Sequence, residues 1–141
     1  MSYETTMRRL YELISAGEID AFAEHLADGF VEHEELPGLE QSKEGVRQLF
    51  HMYRAAFPDL RMEAEDVLVS GDKVVARVHA TGTHQGEFLG MPATGKRIDV
   101  AVIDIMRFGD DGLVHEHWGL FDSLGMMQQL GAIPAAAATA T

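Results

Sequence analysis

The chain has 141 residues, of which 23 are acidic and 11 basic, for a formal net charge of −12, and it contains no cysteine. A length of this order is one domain, and the lack of cysteine excludes disulfides and thiolate chemistry. So acidic a surface repels phosphate backbones and anionic lipid, which argues against nucleic-acid and membrane partners, and the chain reads as cytoplasmic.

Met7, Leu10, Tyr11 and Ile14 recur at helical spacing and predict an amphipathic helix ending near Gly17. Met1 to Arg9 hold no apolar run of the kind a secretory signal needs. Ile19, Phe22, Ala23 and Leu26 repeat the pattern and predict a second short helix that stops near Asp28-Gly29. Phe30 to His33 is short and extended, and Leu36-Pro37-Gly38 breaks it. Ser42 caps a third helix whose apolar stripe is Val46, Leu49, Phe50, Tyr53 and Phe57, and Pro58 ends it. From Leu60 the period changes to two. Strands are expected over Leu60 to Ser70 and Lys73 to His84, with a loop from Gln85 to Lys96. A strand follows over Ile98 to Phe108 that is apolar on both faces, and a last one after the turn at Asp110-Asp111-Gly112.

In that last strand Val114, Trp118 and Leu120 share a parity and predict the buried face, unless a bulge inverts it. Asp122 closes the strand, and from Ser123 the spacing of Leu124 and Met127 becomes helical. Residues 1–131 read as the domain and residues 132–141 as a small-residue tail. Helices followed by antiparallel strands make an α+β protein, in which a curved sheet over a helical layer leaves a conical cavity. A strand apolar on both faces needs cover on its outer side, which favours a homodimer through the sheet.

Asp122, set among Trp118, Leu120 and Phe121, is a candidate general acid or base, because an apolar setting raises a carboxyl pKa. A helix N-cap is the structural alternative for the same residue. Trp118 is a candidate wall for a flat substrate or an ordinary core residue. Asp104, between Ile103 and Ile105, is a second acid candidate or the partner of Arg107 or Arg77. His115 and His117 have a spacing that two metal ligands can use, but nothing in the chain forces a third ligand beside them, so no metal is expected.

Three passages carry a resemblance: Phe30-Val31-Glu32-His33 with Pro37-Gly38; Gly82 to Lys96; and Gly112 to Gly131 with Trp118, Asp122 and Gln128-Gln129-Leu130-Gly131. On these the chain resembles the SnoaL-like polyketide cyclases, in the superfamily named for nuclear transport factor 2 (NTF2-like). The resemblance implies a cone-shaped, usually dimeric α+β fold with the cavity between sheet and helices, and no metal or organic cofactor. It implies an aspartate, matched by Asp122, acting as acid and base in an intramolecular aldol closure. It also implies polar side chains from three helical and extended segments at the pocket, for which Tyr11, His33 and His51 are the candidates beside Trp118. The expected ligand is a small apolar carbonyl compound. A hydrolase with an aspartate-activated water, a ligand-binding protein without turnover, and a dimeric interaction module are the rivals.

Overall fold

The computed structural model describes residues 2–134. Within them the order is α1 (Tyr3–Ser15), α2 (Ile19–Ala23), β1 (Leu26–Glu32), α3 (Lys43–Ala56), β2 (Arg61–Ser70), β3 (Lys73–Thr83), β4 (Arg97–Phe108), β5 (Val114–Phe121) and α4 (Ser123–Leu130). Of the expected tail, residues 135–141 lie outside the described part.

Local chemistry starts and stops the helices. Ser2 caps α1 by accepting from the Thr5 N–H, and Met7, Leu10, Tyr11 and Ile14 form its buried stripe. Ser42 caps α3 by accepting from the Gly45 N–H, and Phe57, restricted by Pro58, leaves the helical region. The second helix is shorter than its spacing predicts. Leu26 does point into the core, but as the first residue of β1, paired with Val114. A residue at i+7 is buried in either geometry, so spacing does not separate the two.

The sheet has the order β1-β5-β4-β3-β2. The four long strands pair antiparallel, whereas β1 runs parallel to β5, so the sheet is mixed rather than wholly antiparallel. Val74, Ala76, Val78 and Ala80 of β3 and Ile98 and Val100 of β4 pack inward with the helices into one core.

One irregularity decides which face of β5 looks inward. Phe108 pairs with Val114 and Arg107 with Glu116, so His115 is an extra residue on β5. Beyond this bulge the parity inverts. His117, opposite the buried Met106, faces in, and Trp118, opposite Ile105, faces out. The outer face therefore carries a cross-strand apolar row, Leu68, Val75, Ile105 and Trp118, with Ile103 and Leu120 beside it.

Candidate active site

Between the sheet and the helices lies a cavity with an empty volume of about 920 Å³, its open mouth included. Its walls are apolar, with aromatic and thioether side chains such as Phe22, Phe50, Phe57 and Met126 beside aliphatic ones such as Leu49 and Val100. Four polar side chains from four elements meet at this lining: the buried Tyr11 of α1, Glu32 of β1 and Asp104 of β4, and the largely covered His117 of β5. A polar group in such surroundings must find partners, and these find one another.

His117 is the hub. Its Nε2 donates to Asp104 Oδ1 at 2.7 Å and its Nδ1 to Glu32 Oε2 at 2.6 Å. The Tyr11 hydroxyl donates to the other Asp104 oxygen, Oδ2, at 2.6 Å. With a carboxylate at each ring nitrogen the imidazole is a cation. Burial alone would push its pKa down, but the bonds and charges of Asp104 and Glu32 hold it up to about 10. Burial, then the charge and hydrogen bond of Asp104, raises the Tyr11 hydroxyl well above its ordinary value. Gly119 makes room for the arrangement. It stands opposite Asp104, and a Cβ there would come within 2.6 Å of His117 Cε1 and 2.9 Å of Asp104 Oδ1.

Two further groups reach the cavity. Glu34 continues the inward alternation of Phe30 and Glu32, and the Gln41 amide, donating to the carbonyls of Glu32 and Glu34, clamps this stretch. Burial raises the Glu34 carboxyl to about 7; His117 lowers it, and Glu32 and Asp104 raise it. Burial and then the charge of Glu34 lift the Tyr53 hydroxyl to about 12. Such an array, one apolar hollow with ionised and proton-bearing groups at its polar end, suits proton transfer to and from carbon and oxygen.

The family model described as SnoaL-like polyketide cyclase matches residues 4–130. The chain belongs to this family. Aklanonic acid methyl ester cyclase DnrD of Streptomyces peucetius is 32% identical over 131 residues, covering 89% of this chain and 88% of that protein. Among solved structures, TsrD of Streptomyces laurentii superposes with a TM-score of 0.81 at 33% identity, covering 92% of this chain and 94% of that one. IdmH of Streptomyces antibioticus gives a TM-score of 0.80 at 29% identity, over 93% and 99% of the two chains. The fold is thus the NTF2-like α+β fold of the SnoaL-like cyclases, and the protein is an enzyme of the cyclase type.

In this SnoaL-like cyclase Asp122 stands apart from the cavity. The Asp122 side chain is exposed, does not line the cavity, and caps α4 by accepting from the Gly125 N–H at 2.9 Å. The expected catalytic carboxylate at this position is therefore corrected to a helix cap, since the inverted parity of β5 turns it outward with Trp118. Trp118 is likewise no cavity wall. It stacks on His33 on the outer face, ring centroids 4.7 Å apart and planes 5° apart. His33, exposed, bonds Glu116 at 2.9 Å, and Glu116 binds Arg107. His51 is exposed on α3 and bonds Asp20 at 2.9 Å. Neither histidine lines the cavity. Tyr11 is the one residue of the expected set that the fold brings to it.

Asp104, the second acid candidate, is the buried cavity carboxylate, and its partners are Tyr11 and His117 rather than Arg107 or Arg77. The bulge splits the His115–His117 pair, and His115 bonds Asp111. Among the described residues no group of three or more histidine, aspartate or glutamate side chains converges as a cation site requires. No helix among them is long and apolar enough to cross a membrane. Glu32 and Glu34 are not among the expected site residues, and His117 is expected only as half of a metal-ligand pair with His115. The signal for the first two is the alternation Phe30, Glu32, Glu34, Leu36, in which two acids share a face with two core residues.

Proposed function

We propose that this enzyme closes a carbocyclic ring in a neutral, largely aromatic keto ester by intramolecular aldol addition, using its own side chains without metal or organic cofactor. The buried chain Tyr11–Asp104–His117–Glu32 at the end of an apolar cavity carries the proposal. Asp104 takes a proton from the carbon between two carbonyl groups. The carbanion attacks a second carbonyl carbon in the same molecule, a carbon–carbon bond forms, and the carbonyl oxygen becomes a hydroxyl on protonation. The His117 and Tyr11 hydrogen bonds hold Asp104 aimed, so little reorganisation accompanies the transfer. Relatives named for aklanonic and nogalonic acid methyl esters support an ester substrate.

Incubation with aklanonic acid methyl ester, followed by mass spectrometry and NMR, tests this. A ring-closed isomer of unchanged mass is expected. Release of the ester methyl group would identify a hydrolase instead, and binding without change a ligand carrier.

Residues 1–131 form the functional unit in this scheme, working as a cytoplasmic homodimer joined through the outer face of the sheet. Support for the second copy lies in the apolar row across four strands, with Leu120 80% and Ile103 44% exposed in one chain. It runs between charged pairs of both signs, such as Arg77 with Asp66 and Arg107 with Glu116. Sedimentation equilibrium should give twice the chain mass for the wild type and one chain mass for Leu120→Glu. A monomeric wild type overturns the dimer.

A further inference from the structure

We propose that Glu34 is the proton donor of the ring closure: its carboxylic acid protonates the oxygen of the attacked carbonyl while Asp104 takes the proton from carbon. The assignment deepens the ring-closure reading above and rests on it.

An aldol closure needs a base and an acid at once. The titratable side chains lining the cavity are Tyr11, Glu32, Glu34, Tyr53, Asp104 and His117. Each but Glu34 is a poor donor. Both His117 N–H groups are committed, one to Asp104 and one to Glu32. The Tyr11 hydroxyl is held by Asp104, and burial makes it and the Tyr53 hydroxyl weaker acids than ordinary phenols. Glu32 accepts from His117 with both oxygens, and its Oε2 also accepts the Glu34 N–H at 3.1 Å. Of the three carboxyl groups at the cavity, that of Glu34 alone has no hydrogen-bond partner among the described residues.

Geometry explains why this acid keeps a proton. Glu34 is half-buried beside a cluster that already holds two carboxylates and one cation, a net negative charge. Burial raises its carboxyl to about 7. The negative charges of Glu32 and Asp104 add to the rise, and the His117 cation opposes it. The groups facing it are Glu32 from β1, His117 from β5, Asp104 from β4 and Tyr53 from α3. Near neutrality a sizeable fraction is the neutral acid, the value a general acid needs at working pH. Two carboxyl groups in one hollow, one engaged by the Tyr11 and His117 donors and one without a hydrogen-bond partner among the described residues, divide base from acid.

The protons balance. One leaves carbon for Asp104, one leaves Glu34 for the new hydroxyl, and the first returns from Asp104 to Glu34 through water once the product has gone. No oxidant or co-reactant enters.

Glu34→Gln separates this role from that of Asp104. Gln keeps the shape, removes no hydrogen bond, and should leave the melting temperature unchanged. With aklanonic acid methyl ester as the probe, ring closure should slow about 100-fold at unchanged KM. In deuterated water the variant should still exchange the acidic C–H of the probe, because Asp104 remains, whereas Asp104→Asn should lose exchange and closure together. Wild-type kcat/KM should fall as pH rises through about 7, where Glu34 ionises, and the variant should lack that limb. A carbon-13 carboxyl resonance titrating near 7 should vanish with Glu34→Gln. Closure at the wild-type rate in Glu34→Gln, a retained high-pH limb, or a Glu34 resonance titrating in the ordinary carboxylate range overturns the donor role alone. Failure of the wild type to close any keto ester overturns the ring-closure reading and the donor role with it.

Discussion

Asp104→Asn is expected to lower kcat for ring closure about 1,000-fold, the span that loss of a positioned general base commands. The substitution is close to isosteric, and its surroundings accept it. The oxygen of the introduced amide can receive the His117 Nε2 proton now bound at 2.7 Å. Its NH2 group can donate to the Tyr11 oxygen, since a phenol both donates and accepts. Fold and ligand binding should thus persist while proton abstraction is lost. KM should stay within a few-fold, because the aromatic walls that hold the substrate are untouched. Asp122→Ala gives the opposite result. It removes the side-chain acceptor of the Gly125 N–H and should cost about 1 kcal/mol of stability, as lost N-caps do, with kcat unchanged. Steady-state kinetics and thermal melts on the two variants check both halves. Equal activity of Asp104→Asn and wild type would remove Asp104 from the chemistry.

The contrast between these two aspartates shows what the sequence carries and what it does not. In β3, Val74, Ala76, Val78 and Ala80 bury one face without interruption, so period alone locates the strand and its inner side. In β5 the inner side depends on one extra residue, His115, and nothing in Gly112 to Phe121 marks it as a bulge. A single-residue shift turns every later side chain over. Trp118 and Asp122 therefore read as inward and stand outward, while His117 does the reverse. Pairing across the chain is hidden for a related reason. Tyr11 and Asp104 are each legible as polar groups in apolar stripes that need a partner. That they are each other's partner follows from α1 crossing the sheet, which no local pattern encodes. Likewise β1 is legible as a short extended segment, but its parallel place beside β5, which brings Glu32 to His117, is a long-range outcome.

His117→Leu should be the most destabilising substitution in the site, by about 3–5 kcal/mol, the usual result of removing one partner from a buried charge group. His117 holds two buried carboxylates, and leucine leaves Glu32 and Asp104 facing each other without a cation. Destabilisation of this size lowers the melting temperature by roughly 10–17 °C in a domain of this length. The pH dependence gives the effect its signature. The folded protein holds the His117 proton up to about 10, against about 6.5 for a free histidine. The contribution is therefore complete below about pH 6.5 and is lost as pH rises through about 10. Chemical denaturation of the wild type across that window should show a decline that His117→Leu lacks, so the two stabilities converge at the alkaline end. Adding Glu32→Gln should recover part of the loss near neutrality, because it removes one of the stranded charges. A gap that stays constant from about pH 6 to about pH 10, or no recovery with Glu32→Gln, would mean that packing rather than the buried cation holds β1 against β5.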